Sequence, residues 1–165
     1  LRGVNEDQVL PLLERFRGSG HVVRFIEYMD VGTCNGWDPA QVVRAEELRA
    51  RIAARWPLRP LAASYAGEVA QRYAFADGGG EVGFISSVSA PFCGDCHRAR
   101  VSADGHLYTC LFADRGHDLR PALAGGGQGV AEAVARLWSA REDRYSEIRG
   151  QAPARRPIEM YLIGG

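Results

Sequence analysis

Lysine is absent. All 20 basic residues of the 165-residue chain are arginine, and 20 aspartates and glutamates balance them to a formal net charge of zero. No Schiff-base amine and no lysine general base is available within the chain. An anion bound here must be held by guanidinium groups, backbone N–H groups or a metal. The arginine bias, beside abundant alanine and glycine, matches GC-rich coding. Zero net charge argues against a dedicated nucleic-acid surface, though not against one local anion site. No apolar run approaches the ~18 residues of a membrane span. The start, Leu1-Arg2-Gly3-Val4-Asn5-Glu6, lacks the basic-then-apolar order of a signal peptide. It also lacks Met and runs at once into a helix pattern, so the chain is expected to begin inside a larger, cytoplasmic protein with neither membrane nor nucleic-acid partners. Internal repeats are missing too. Cysteines number only four, and disulfides are not expected in such a compartment.

What is present is ordinary globular composition, with 46% hydrophobic and 24% charged residues. Asn5 and the acidic residues after it open a helix whose apolar face is Val9, Leu10, Leu12, Leu13 and Phe16, with Pro11 trimming its first turns. Gly18-Ser19-Gly20 stops it, and His21–Met29 reads as a mostly buried strand. Helix then buried strand is the unit of a parallel α/β sheet. A second helix spans Ala45–Trp56, stopped by Pro57 and Pro60. Val69–Phe75 and Glu81–Val88 form a hairpin around Asp77-Gly78-Gly79-Gly80. Ala99–Ala103 and His106–Phe112 form another around Asp104-Gly105, a type I′ signal. Val130–Arg144 reads as a helix with Val130, Val134, Leu137 and Trp138 on one face, and the tail from Gly150 is irregular. The expected fold is therefore the end of an α/β domain over residues 1–36, then an α+β extension with antiparallel hairpins over 37–165.

Chemistry concentrates in the cysteines. Cys93-Gly94-Asp95-Cys96 is a C-x2-C pair, and Cys110 follows after thirteen residues. The hairpin at Asp104-Gly105 would fold Cys110 back towards the pair. A thioredoxin-type redox pair would open a helix, whereas a strand follows here. Sulfur ligands suit both zinc and iron–sulfur clusters. Structural zinc takes four protein ligands, so it would need His97, His106 or Cys34 as the fourth. A cubane cluster is satisfied by three cysteines and leaves one iron open. Arg98 and Arg100 follow at alternate positions, which on a strand share a face. Beside an open metal position they would make a phosphate clamp. An electron-transfer cluster with four ligands would have no use for them.

Arg24-Phe25-Ile26-Glu27-Tyr28-Met29, Cys93-Gly94-Asp95-Cys96-His97-Arg98-Ala99-Arg100, Cys110, Asp143-Arg144-Tyr145-Ser146 and the terminal Met160-Tyr161-Leu162-Ile163-Gly164-Gly165 occur in that order. The whole chain resembles the C-terminal half of the molybdenum cofactor biosynthesis protein A family, the radical SAM GTP 3′,8-cyclases. The resemblance implies the end of an incomplete TIM-type barrel, then an extension that closes its mouth. It implies two 4Fe–4S clusters in the complete enzyme. The N-terminal cluster, on a C-x3-C-x2-C motif, cleaves S-adenosylmethionine. The 5′-deoxyadenosyl radical takes the ribose 3′ hydrogen of GTP, and the carbon radical closes on guanine C8. The product is (8S)-3′,8-cyclo-7,8-dihydroguanosine 5′-triphosphate. Carried onto this sequence, the second cluster's ligands are Cys93, Cys96 and Cys110, and the GTP contacts are Arg98, Ala99 and Arg100. Arg24 corresponds to an active-site arginine on a barrel strand, Met29 to an S-adenosylmethionine contact, and Gly164 and Gly165 to the tail that reaches the active site.

One departure matters: no C-x3-C-x2-C motif occurs in these 165 residues. Alone, the chain is expected to be inactive, as a fragment, a truncated frame or one half of a split enzyme. Its partner would then be a barrel-half polypeptide, or a second copy of itself. Cys34 has no family counterpart and reads as an incidental thiol.

Overall fold

A computed structural model describes residues 1–151 and 158–163. It is a mixed α/β structure with two small sheets and few helices, divided into two compact units. The first comprises residues 1–29 and 37–96, the second 30–36 and 97–165. This division follows compactness, and differs from the division near residue 36 expected on the grounds of barrel and extension.

The first unit is built on helices α1 (Val9–Phe16) and α2 (Ala45–Arg55) and strands β1 (Val23–Ile26), β2 (Leu58–Pro60), β3 (Gln71–Phe75) and β4 (Glu81–Ile85). The sheet order is β1-β4-β3-β2; β1 lies parallel to β4, and the other neighbours are antiparallel. Pro11 is accommodated as the third residue of α1, where its missing N–H has no partner to lose. Val9 and Leu13 of α1 and Ala45, Leu48 and Ile52 of α2 form one buried cluster with Phe75, Val82 and Phe84 of the sheet. Seven of these eight are large apolar groups whose burial stabilises by roughly 1.5–3 kcal/mol each.

Two expectations are corrected here. The strand after α1 is four residues long and alternates, with Arg24 and Ile26 exposed. An edge strand has one face on the core and one open, so a run of apolar letters overstated its burial. Pro57 and Pro60 do end α2, but the residues between them pair with β3 as β2. An edge position tolerates proline because no ladder bond is lost on its outer side.

In the second unit, β5 (Arg100–Val101), β6 (His106–Tyr108) and β7 (His117–Asp118) form an antiparallel sheet, followed by helices α3 (Gly126–Ser139) and α4 (Tyr145–Ile148). Leu107, Leu119 and Ala133 are its buried core, flanked by Ala122, Val134 and Leu137. The β5–β6 hairpin forms as expected, but its turn is not type I′. That turn needs a positive φ at both central residues, and no non-glycine residue among those described has one. Instead Gly105 N–H bonds Ser102 O at 3.0 Å, Gly105 takes φ +82°, and Ser102 N–H closes on His106 O at 3.0 Å. This is a type I turn with a glycine bulge. Helix α3 starts earlier than expected and ends at Ser139. Of its three glycines only Gly129 serves packing: a Cβ there would lie 2.6 Å from Ala122 O. No helix among the described residues is long and apolar enough to cross a membrane.

Candidate functional site

In the first unit, β1 presents Arg24. Its stem crosses Gly83 of the neighbouring strand, where a Cβ would sit 3.1 Å from Arg24 Cγ. Its half-exposed guanidinium lies 3.7 Å from Oε1 of Glu68, whose side chain is 2% exposed. Glu68 also faces Arg72 at 4.0 Å, and Arg72 forks onto Glu81 at 2.7 and 3.0 Å. The hydrogen bond to Glu81, foremost, raises the Arg72 pKa above its ordinary value. A buried carboxylate thus aims Arg24 from below while its head stays open to a ligand.

Met29 lies three residues beyond the end of β1 and is half-buried. The segment leading to it is held tightly. Tyr28 O accepts from Trp37 Nε1 at 2.8 Å. Glu27 is 3% exposed. Its Oε1 accepts from Ala45 N–H at the start of α2 (2.8 Å) and from Ser89 Oγ (2.5 Å). Its Oε2 accepts from Val88 and Ser89 N–H, both at 2.8 Å. The carboxylate therefore caps α2, where a negative charge also suits the helix dipole, and fixes the loop after β4. The Glu27 letter sat inside an apolar run, and nothing local signalled that role. Glu27→Ala is expected to destabilise the fold by about 3 kcal/mol, since buried N–H donors lose their charged acceptor. Urea unfolding checks this, and a loss below ~1 kcal/mol would mean that water replaces the carboxylate.

Four residues after Ser89, Cys93-Gly94-Asp95 forms a single 3-10 turn, with Cys96 N–H on Cys93 O at 3.4 Å. The turn sets the two half-buried thiols at its ends, and Gly94 and Asp95 are exposed.

In the second unit, Arg98 and Ala99 are exposed and precede β5, while Arg100 is half-buried and pairs with Tyr108. The strand begins at Arg100, so strand alternation does not by itself put Arg98 on the same face. Cys110 Sγ accepts Phe112 N–H at 3.4 Å. Residues on both sides of Cys110 are tied down. Thr109 Oγ1 donates to Asp143 at 2.6 Å, and Phe112 stacks on Tyr145 with centroids 4.7 Å apart. Tyr145 Oη and Arg149 Nε both donate to Asp30, at 2.7 and 2.9 Å. The sequence quoted Asp143 and Tyr145 as motif letters; their partners Thr109 and Asp30, far away in the chain, were not legible. Cys34, expected to be incidental, is exposed and lies beside Glu159, whose carboxyl pKa it helps to lower after Thr33.

Cys93 and Cys96 thus lie in one unit and Cys110 in the other. Among the described residues no three His, Cys, Asp or Glu side chains are gathered as a metal site. The donor set nevertheless fits an iron–sulfur cluster in kind: three thiols, two of them on one turn and the third already accepting an N–H···S bond. Gly164 and Gly165 lie outside the described residues.

The described residues are a mixed α/β protein with a C-x2-C turn in one unit and a third half-buried cysteine two residues after β6 in the other. Residues 21–147 match the family model Molybdenum Cofactor Synthesis C, and the chain belongs to that family. It is 71% identical over 165 residues to GTP 3′,8-cyclase of Xanthomonas campestris pv. campestris strain B100, covering 99% of this chain and 49% of the relative. It is 52% identical to GTP 3′,8-cyclase of Synechococcus sp. strain WH7803 (99% of this chain, 47% of the relative) and 46% identical to that of Acidothermus cellulolyticus (99% and 53%). The chain spans about half the length of these curated relatives.

Proposed function

We propose that the chain is the C-terminal half of a radical SAM GTP 3′,8-cyclase of molybdenum cofactor biosynthesis. The observation that carries this reading is 71% identity over the whole chain to a protein of that name. Cys93, Cys96 and Cys110 would hold a 4Fe–4S cluster, which when bound supplies an open iron position for GTP. Arg98 and Arg100, with Ala99 between them, bind the triphosphate. Its charge of about four suits guanidinium groups, which are always protonated and present a planar fork. Arg24, aimed by Glu68, stands at the substrate, and Met29 contacts S-adenosylmethionine. Gly164 and Gly165 bring an end without side chains up to the reacting nucleotide, an approach that any Cβ would hinder. Residues 1–36 are the last α/β unit of the barrel, and 37–165 the extension. The succession of helix α1 and strand β1, and the exposed Arg24 and Ile26 of β1, support the first assignment. The missing barrel half supplies the first cluster, and the enzyme works in the cytoplasm on GTP and S-adenosylmethionine.

The test is turnover under anaerobic, reducing conditions with both substrates. The full-length protein is expected to form 5′-deoxyadenosine and the 3′,8-cyclised triphosphate in equal amounts, and the 165-residue chain neither. S-adenosylmethionine cleavage by the 165-residue chain alone would refute the division of labour. A full-length protein that cleaves S-adenosylmethionine but leaves GTP unchanged would refute the substrate.

A further inference from the structure

We propose that Glu159 is a positioning residue that latches the C-terminal tail onto the loop 30–36. Thr33 donates to Glu159 Oε1 twice, from its N–H and its Oγ1, both at 2.6 Å. Cys34, the next residue, also faces this carboxylate and helps to lower its pKa. Successive N–H groups facing one anion make a nest, and here the anion is the chain's own carboxylate. Gly32 makes the room. It takes φ +70°, and a Cβ there would overlap the Glu159 carboxylate. The hydrogen bonds from Thr33 are the first cause holding the Glu159 carboxyl below its ordinary pKa, as expected for a group bound in its charged form.

The rest of the tail is consistent with a docked segment. Ile158 N–H bonds Ala113 O at 3.2 Å, Leu162 N–H bonds Glu159 O at 3.0 Å, and Ile163 is fully buried. All these groups belong to the second unit. The latch joins positions 126 residues apart. Gly164 follows Glu159 by five positions in the sequence, at most about 17 Å of extended chain. The loop that Glu159 grips begins directly after Met29. The catalytic meaning of this restraint rests on the function proposed above; the latch itself does not.

Hydrogen exchange of the 158–163 segment in the full-length protein tests the latch, and turnover tests its role. Glu159→Ala and Gly32→Ala are each expected to speed exchange of 158–163 by about ten- to a hundredfold, the range for losing charge-assisted bonds. The double variant should be no faster than either single one, because both break the same contact. Exchange in β4 should not change. GTP affinity should hold while kcat falls, and Glu159→Asp should recover part of the loss. Unchanged exchange in Glu159→Ala would overturn the latch. Faster exchange with unchanged kcat would overturn the positioning role. If the wild-type protein proves to have no cyclase activity, the function falls, and the exchange data still decide the latch.

Discussion

Cys110→Ala in the full-length protein is expected to lose one cluster's worth of iron, about four atoms per chain, and at least about a hundredfold in GTP turnover. Cys93→Ala and Cys96→Ala should do the same, whereas Cys34→Ala should keep its iron. Three thiolates are the minimum that holds a cubane, so no single loss can be compensated from within the trio. Cys93 and Cys96 share one 3-10 turn, and Cys110 is immobilised between Thr109 and Phe112, each tied to the 143–149 segment. The substitutions remove a ligand and leave the buried clusters of both units untouched. Circular dichroism should therefore show both helices and sheet retained. Cleavage of S-adenosylmethionine should persist, because the cluster that performs it lies elsewhere. Full iron content in Cys110→Ala would remove that residue from the ligand set.

The second large effect concerns Arg98 and Arg100. Arg98→Ala or Arg100→Ala is expected to weaken GTP binding by about ten- to a hundredfold, since charge-assisted hydrogen bonds contribute roughly 1.5–3 kcal/mol each. Iron content should not change. Arg→Lys should rescue only in part, because an ammonium keeps the charge and loses the planar fork. Sensitivity should follow phosphate number: guanosine nearly indifferent, GTP most affected. The two sites should also differ from each other. Arg98 is exposed and outside the strand, so its loss should cost less stability than the loss of Arg100. Arg100 is half-buried and paired with Tyr108, so its loss should lower the melting temperature slightly as well. Equal losses for guanosine and GTP would mean that both arginines support the hairpin and not the phosphates.

How much was legible in the sequence depended on whether the signal was local. Helix α1, helix α2 and the β3–β4 hairpin follow from periodicity and stop signals within a dozen residues, and all three stand close to where they were expected. The three-residue β2 ends on a proline, follows another and shows no alternation, and only its pairing with β3 makes it a strand. The Asp104-Gly105 turn was recognised as a turn but assigned the wrong type, because the same dipeptide also serves a type I turn with a glycine bulge. Among the site residues, the cysteine spacing and the Arg-x-Arg step were visible at once. Glu27, Asp30 and Glu159 were not. Each is a carboxylate whose partners lie 18 to 126 residues away, and no windowed pattern marks such a bond. The glycines show the same limit. Nothing in the sequence marks Gly32, Gly83 or Gly129, yet each clears space for one particular neighbour: a carboxylate, an arginine stem and a carbonyl.

Metal and sulfide analysis of the anaerobically purified full-length protein tests the central claim most directly, which is that Cys93, Cys96 and Cys110 carry an iron–sulfur cluster. Two clusters predict about eight iron and eight sulfide per chain, falling to about four of each when all three cysteines are replaced. Four iron accompanied by one zinc, with the zinc alone lost in the triple variant, would contradict the account and make the extension a zinc module.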